Sequence, residues 1–223
     1  MMQKKTLAAL CAGVLTVFAP VLYAQTSTAP TVAAAAAQTP DQLINRLSNE
    51  LLDAVRADKS IQAGDTKKVL ALVDEKVVPY VSFQRMTSSA VGRYWRQATP
   101  EQQASLENEF KTLLMRTYAG ALAQVKDQTV VIKPSRNLPE DEEQIVRTEV
   151  RGGGGGGGGD PVQLDYRVEK SPTVGWKIYD VNVLGVWLVE NYRNSFAQEI
   201  SKGGIDGLIA KLSERNKSAA ARK

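Results

Sequence analysis

The chain has 223 residues, with 28 lysines and arginines against 24 acidic residues, no histidine and one cysteine. Without histidine there can be no Ser-His-Asp or Cys-His triad, no histidine-ligated zinc or iron and no imidazole pH switch. A single cysteine excludes an internal disulfide and a Cys-x-x-Cys motif, and a hydrophobic content of 43% argues for a folded domain with its own core.

Residues 1–24 have the pattern of a secretory signal peptide. Lys4 and Lys5 precede an apolar run that ends in a small residue, Ala24, before polar sequence. An uncleaved membrane anchor is the alternative, because the run is nearly long enough to cross a bilayer, but Pro20 interrupts it. Cleavage would remove two of the basic residues and the cysteine. We therefore expect a periplasmic protein of a Gram-negative bacterium, with no nucleic-acid partner.

The folded domain is expected to follow a flexible linker, residues 25–38, which is rich in Ala, Thr and Pro. Its first helix is predicted at Thr39-Pro40-Asp41-Gln42, where a threonine cap, a proline at the first helical position and a glutamine three residues after the cap coincide. The same pattern at Thr99-Pro100-Glu101-Gln102 opens the helix with the clearest apolar periodicity.

Two further helical segments are expected between these two starts. One begins at Asp65 and is ended by Pro79. The other covers residues 80–95, and Gly92 divides it into a helix, a break and a short helix.

After Asp127 the pattern changes to strands, predicted at residues 130–132, 145–150, 162–168 and 176–184. The apolar face of the last strand changes side near Tyr179, which predicts a bulge. Short links between the strands favour antiparallel hairpins, and therefore an α+β rather than an α/β fold.

C-terminal helices complete the predicted domain. The pair Gly203-Gly204 is expected to end one helix, a short helix from Ile205 to Leu212 follows, and residues 214–223 are expected to be a frayed basic tail.

Eight consecutive glycines, Gly152 to Gly159, lie where the hairpin between the second and third strands is expected. Glycines cannot hold a strand, because each has high backbone entropy and no side chain to pack. Two interpretations stay open: a flexible native hairpin loop, or an inserted or altered segment that is not native.

Candidate catalytic groups are few. Asp165 beside Tyr166, and Asp180 on the fourth strand, could act as general bases if buried, although alternation predicts that Asp165 points to solvent. The acidic run Glu140-Asp141-Glu142-Glu143 lacks the ligand spacing of a calcium loop and is interpreted as a solvated turn. Aromatic and apolar residues dominate instead, and they either fill a core or line a cavity for an apolar ligand.

Three motifs, taken together, resemble the MlaC family of periplasmic phospholipid-binding, toluene-tolerance proteins. The first, VNVLGVWLVENYRNSF (residues 181–196), is a strand, a glycine, an apolar triplet and then Asn-Tyr-Arg-x-x-Phe. The second is VGRYWRQATPEQ (residues 91–102), and the third is GIDGLI (residues 204–209). The resemblance covers roughly residues 40–212. The glycine run departs from the family's usual short, sequence-rich turn.

The resemblance implies one lipid-binding domain, residues 39–213, with N-terminal helices packed on a curved, mostly antiparallel, four- to five-stranded NTF2-like sheet. It implies a monomeric, non-enzymatic carrier of diacyl phospholipid between the outer and inner membranes, with no cofactor besides its cargo. The partners would be an outer-membrane lipoprotein complex and an inner-membrane MCE-domain ABC transporter.

A preformed apolar cavity with a few cations near its mouth is expected under this hypothesis. The residues expected to line it are Phe83, Val91, Phe110, Leu114, Tyr118, Tyr166, Ile178, Val183, Trp187 and Tyr192. The expected head-group neighbours are Arg93, Arg147 and Arg193. The alternatives are an NTF2-like isomerase or hydrolase acting on an apolar substrate, and a non-catalytic envelope interaction module with a filled core.

Overall fold

A computed structural model of the chain describes residues 38–125, 127–152 and 160–221. The expected signal peptide, nearly all of the expected linker and most of the glycine run lie outside these ranges. The helices are α1 (Pro40–Ala57), α2 (Lys59–Gln62), α3 (Thr66–Lys76), α4 (Phe83–Val91), α5 (Pro100–Ala123) and α6 (Leu188–Ala221). The strands are β1 (Thr129–Lys133), β2 (Glu143–Arg151), β3 (Val162–Ser171), β4 (Gly175–Val183) and β5 (Val186–Trp187).

Both predicted helix starts form as capping boxes. The Thr39 and Thr99 side chains accept hydrogen bonds from the backbone N–H of Gln42 and Gln102, and each glutamine side chain accepts from the backbone N–H of its threonine. Two donors that the first turn of a helix leaves unpaired are thereby satisfied at each start. The start of each helix is therefore specified by its own four consecutive residues.

The break at Gly92 is also present. Gly92 has a φ of 64°, a left-handed value that glycine adopts without the steric cost that a Cβ would add. It ends α4, and a 3₁₀ turn over Gly92–Gln97 connects to α5. A second 3₁₀ turn, Val78–Tyr80, contains Pro79, so α3 ends before the proline as expected.

The five strands form one antiparallel sheet in the order β1-β2-β3-β4-β5. The predicted bulge lies at Tyr179, because Arg167 pairs with Asp180 while its neighbour Val168 pairs with Ile178. The extra residue keeps Trp176 and Ile178 on the same side of the sheet as Val181 and Val183. One face of β4 therefore packs on helices along its whole length.

The C-terminal helix α6 differs from the expected short helix and frayed tail. Gly204, with φ 68° and ψ −169°, kinks it where the Gly203-Gly204 pair predicted an end, but helix continues to Ala221. Asn216 is buried, and its amide donates to the backbone carbonyl of Glu109 at 2.9 Å and to its carboxylate at 2.7 Å. This long-range contact, absent from the local pattern, explains why the helix extends past residue 214.

Three apolar clusters hold the domain together. A helical cluster joins α4, α5 and α6, and contains Phe110, which is fully buried. A helix–sheet cluster packs Leu43, Ile44 and Leu47 of α1 against β2, β3 and β4. The third joins the end of α1 to α2, α3 and the end of α5. The α+β prediction, with helices before and after an antiparallel sheet, is confirmed.

Candidate functional site

The helical cluster gathers most of the residues expected to line a cavity. Three rings pack at its centre: Phe110 lies edge-on to Tyr192 and to Phe196, with ring centroids 4.9 and 5.0 Å apart. Such contacts contribute about 0.5–1.5 kcal/mol beyond burial. The expected lining residues found in or against this cluster are Phe83, Val91, Phe110, Leu114, Tyr118, Val183 and Tyr192.

Two further expected lining residues, Tyr166 and Ile178, lie in the helix–sheet cluster. Val181 of β4 contacts both clusters, so the two are continuous across the sheet. A cavity of about 80 Å³ lies beside Tyr166 and Ile178. Its other walls are Ile44, Leu47, Ser48, Leu51 and Val77.

This depression is smaller than the preformed cavity that we expected. Pockets that hold small molecules enclose about 300–1,000 Å³, whereas the apolar cavity between α1 and the sheet encloses about 80 Å³. The apolar side chains of the helices and the sheet pack against one another and close the interior. A ligand with acyl chains would therefore have to separate packed surfaces in order to enter.

The tyrosine hydroxyls inside the domain are held in the neutral form. Burial raises the pKa of Tyr166, with a hydrogen bond to Ser48 acting in the opposite direction. Burial also raises the pKa of Tyr192, against the opposing charge of Arg215 and a hydrogen bond to Thr117, and it raises the pKa of Tyr118. At neutral pH these groups therefore add polarity without charge, and acyl chains can lie against their rings.

Trp187 is placed on the other face of the sheet. It pairs with Asn182 across the β4–β5 ladder, and the Arg167 guanidinium lies 3.9 Å from its ring centre. Arg167 also pairs with Asp180 at 3.0 Å. The structure therefore separates Trp187 from the other nine expected lining residues.

The three expected head-group arginines do not form one group. Arg193 donates to the Ser89 carbonyl at 3.1 Å, and Arg93 follows the end of α4, where its guanidinium contacts the Tyr94 hydroxyl at 2.9 Å. Both lie beside the helical cluster. Arg147 is exposed on the face of β2 opposite the buried Val146, so the sheet separates it from the apolar interior.

The carboxylates considered for catalysis are buried, contrary to the expectation that Asp165 points to solvent. Asp165 accepts hydrogen bonds from the Thr148 N–H and the Gln163 amide. Asp180 accepts from the N–H groups of Val181 and Val189.

Burial raises the pKa of Asp180, against the hydrogen bonds that it accepts and the charge of Arg167. Its partners are the backbone at the start of α6 and a structural arginine. Asp180 therefore fixes the entry into α6, and its oxygens point at protein groups rather than into a pocket.

Within residues 38–125, 127–152 and 160–221, no helix is both long and apolar enough to cross a bilayer. No group of three or more Cys, Asp or Glu side chains within those same ranges is arranged to hold a metal ion.

Sequence reasoning missed several residues that the fold brings close to the interior tyrosines. Ser48 and Val77 line the small cavity beside Tyr166, and Thr117 and Arg215 lie near the Tyr192 hydroxyl. Ser48 could have been found, because it is a polar residue next to the apolar stripe of α1. Arg215 could not, because only the kink at Gly204 returns that part of α6 toward α5.

An α+β domain with an apolar interior between helices and a curled sheet suits a protein that binds an apolar ligand, and equally one with a filled core. Comparison with known families makes this specific, because the model of the family described as MlaC protein matches residues 45–214. The chain belongs to the MlaC family.

Individual relatives agree with the family match. The chain is similar to the intermembrane phospholipid transport system binding protein MlaC of Haemophilus influenzae, with 25% identity over 81% of this chain and 84% of that protein. It is similar to the toluene tolerance protein ttg2D of Pseudomonas putida, with 26% identity over 82% of this chain and 86% of that protein. A solved phospholipid-binding protein of Ralstonia solanacearum, in complex with a phospholipid, superposes with a TM-score of 0.76. It is 47% identical and covers 82% of this chain and 99% of its own.

Proposed function

We propose that this protein is a phospholipid carrier that holds acyl chains between its helices and the concave face of its sheet. The observation that carries the proposal is the Ralstonia solanacearum relative, which is 47% identical over nearly its whole length and was solved with a phospholipid bound. The uncharged apolar interior of this chain supports the same ligand class. The expected lining residues, Trp187 excepted, border that interior.

The physical need for such a carrier follows from the cost of exposing acyl chains to water. A diacyl phospholipid exposes about 30 methylenes, and at about 0.8 kcal/mol each the transfer costs roughly 24 kcal/mol. A carrier replaces the bilayer's apolar surroundings with its own and breaks no covalent bond. Binding therefore needs apolar area and an uncharged lining, and no catalytic residue.

Loading requires the closed interior to open. Helix α4 is linked to β4 by the Ser82 N–H, which donates to the Ile178 carbonyl at 2.8 Å, and α1 covers the sheet through Leu43, Ile44 and Leu47. We infer that acyl chains displace these helices from the sheet and replace helix–sheet contacts with helix–lipid contacts. The exchange of one apolar contact for another keeps its net cost small.

The finer parts of the proposal follow the family. The protein would act in the periplasm as a monomer, without enzymatic activity or a cofactor besides its cargo. It would receive and deliver lipid at an outer-membrane lipoprotein complex and an inner-membrane MCE-domain ABC transporter. Arg93, which follows α4, and Arg193, which is on α6 and bonds to Ser89 of α4, are the proposed head-group neighbours. Arg147 is left out because it is on the other side of the sheet.

Native mass spectrometry of protein purified without detergent, with lipid extraction in parallel, tests the proposal. The expected result is a stoichiometric added mass that matches a diacyl phospholipid. A folded, homogeneous protein that is free of lipid and takes up none from vesicles would contradict it. The isomerase alternative would need an apolar substrate turned over with Asp180 as the base, and bound phospholipid recovered chemically unchanged after long incubation with the wild type would count against it.

A further inference from the structure

Two arginines, one on the outer face of the sheet and one on the loop beside it, are not neutralised. Other cations of that face are paired: Lys133 with Glu149 at 2.7 Å, and Arg167 with Asp180 at 3.0 Å. Arg136 and Arg147, by contrast, have no carboxylate within 4.0 Å among the residues that the structure describes. Both are exposed.

These two arginines border one depression of about 490 Å³, here called the Arg136–Arg147 cleft. Its other walls are Ser135, Asn137 and Ile145. A second depression of about 520 Å³ continues past Arg147. The two cations are thus presented in a concave site, with a hydroxyl and an amide beside them.

The cleft is fixed in shape by Asn137. Its amide nitrogen donates to the Ile145 carbonyl at 2.8 Å and to the Ser135 hydroxyl at 2.9 Å, and its amide oxygen accepts from the Ile145 N–H at 3.2 Å. The Asn137 side chain thus bonds to both the N–H and the carbonyl of Ile145, as the backbone of a neighbouring strand would, and it holds the β1–β2 loop against β2. The backbones that carry Arg136 and Arg147 are therefore preorganised, which lowers the ordering cost of binding.

We propose that the Arg136–Arg147 cleft binds an acidic peptide segment of a partner protein. A guanidinium group pairs with a carboxylate through two parallel hydrogen bonds. The Arg136 and Arg147 guanidinium groups have no carboxylate partner in the described part of the chain. A peptide fits better than an anionic bilayer, because the two guanidinium groups border a depression and not a flat surface. A narrow chain can enter the depression and reach both groups and the polar side chains beside them, whereas a flat bilayer surface cannot follow its walls.

This surface is independent of lipid binding. Val146 and Thr148, on either side of Arg147, are buried toward the helices, so the cleft and the apolar interior lie on opposite faces of one sheet. Partner contact and lipid loading can therefore occur together, and each can be measured without the other.

The test is binding of a fluorescent N-acetylated hexaglutamate peptide to the purified protein at low ionic strength. Arg136→Ala and Arg147→Ala are each expected to weaken binding about fivefold, and the double variant about twentyfold. The matched control is Arg96→Ala, which removes an exposed arginine from the 3₁₀ turn after α4 and is expected to change affinity less than about twofold. Unfolding midpoints and lipid content should match the wild type in all variants.

Two outcomes would overturn the inference. Equal losses of peptide affinity in Arg96→Ala and Arg147→Ala would mean that binding depends on the net charge of the protein and not on the cleft. Loss of binding to phosphatidylglycerol vesicles in the cleft variants, with peptide binding unchanged, would assign the cleft to a membrane surface instead.

Discussion

Leu184 is held in a conformation that its side chain disfavours. It has a φ of 53°, the next residue Gly185 has a φ of 89°, and the two link the paired residues Val183 and Val186. A two-residue hairpin with positive φ at both positions favours Asn-Gly, because a Cβ in the left-handed region costs about 1–2 kcal/mol. The Leu184 side chain is also 67% exposed, so packing does not compensate for the strain.

We therefore expect Leu184→Asn to raise the free energy of unfolding by about 0.5–1 kcal/mol, measured by urea denaturation. The control is Val186→Asn, at an exposed position in β5, where asparagine is disfavoured in a strand and stability should not rise. A loss of stability in Leu184→Asn would show that Leu184 makes a stabilising contact that outweighs the strain.

Glu143 contributes stability that depends on pH. Its hydrogen bond with Arg85, at 2.6 Å, and the one that it accepts from the Tyr179 hydroxyl, at 2.7 Å, hold its pKa below the ordinary 4.5. A carboxyl with a lowered pKa in the folded state stabilises the fold above its unfolded pKa. That stability is lost as pH falls through the lowered value.

Glu143→Gln should therefore reduce the free energy of unfolding by roughly 0.5 kcal/mol at pH 7, since the pair is largely exposed. The difference from the wild type should disappear as pH is lowered well below 4.5. Unfolding curves at a series of pH values measure this, and a difference that stays constant with pH would contradict it.

For single residues, the sequence predicts which face of a strand a side chain is on better than it predicts how exposed that side chain is. Alternation correctly placed Asp165 on the face opposite Leu164 and Tyr166, since Asp165 pairs with Asn182 there. It could not reveal that Gln163 and Thr148 cover the carboxylate, because that depends on the neighbouring strand. The unpaired state of Arg147 is likewise a property of its surroundings and not of its own strand.

Elements with local signals were predictable, and the kinked α6 shows the limit. Thr39 and Thr99 identified their helices because a capping box is contained in four residues. The pair Gly203-Gly204 identified the kink for the same reason. The helix beyond Leu212 was missed, because the bond between Asn216 and Glu109 joins residues far apart in the chain.

The adjacent glycines Gly203 and Gly204 of α6 should respond oppositely to alanine. Gly204 has a φ of 68° and Gly203 does not have a positive φ, while a Cβ at either would meet nothing within 4 Å. Both positions therefore have room for a Cβ, and the two differ only in backbone conformation. Gly204→Ala should lower the free energy of unfolding by about 1–3 kcal/mol through backbone strain.

Gly203→Ala should be neutral or stabilising by up to about 1 kcal/mol, because alanine loses less entropy on folding in a helix. Chemical denaturation of both variants checks the pair. Equal effects would mean that the kink straightens in Gly204→Ala and that its strain is not needed by the fold.

For the whole molecule, filling the interior should remove lipid and keep the fold. Leu114 is buried and Tyr118 packs against the same cluster on α5. Leu114→Trp or Tyr118→Trp should cost about 1–3 kcal/mol by overpacking, less than the 5–15 kcal/mol of a typical domain.

Lipid extracted per folded protein should fall to less than about half, because the larger side chain occupies volume that acyl chains need. The control is Asn108→Trp, at an exposed position on the same helix, which should keep its lipid. Undiminished lipid in both interior variants would exclude these positions from the binding site.

Removing lipid should also lower stability by mass action. A ligand that binds the folded state at a hundred times its dissociation constant stabilises it by about 2.7 kcal/mol. Delipidated protein should therefore unfold at a lower temperature in calorimetry, and added phosphatidylglycerol should restore the midpoint. A midpoint that does not respond to lipid would contradict binding to the folded state.

The closed interior is the part of the site that could not be predicted. Apolar periodicity shows which residues face inward on α5 and β4, and nine of the ten expected residues do border the interior. It does not show whether inward faces meet each other or surround a space, because that depends on the distance between α1 and the sheet.

The bulge at Tyr179 decides which side chains of β4 face the helices. Before it, Trp176 and Ile178 face the helices; after it, Val181 and Val183 do. If Tyr179 were kept and the bulge straightened, strict alternation would turn one half of the strand over and direct the Asp180 carboxylate and the Asn182 carboxamide into the apolar layer. The bulge is therefore what lets both halves of β4 share one apolar face, and a β4 shortened by Tyr179 should keep that face with a regular ladder.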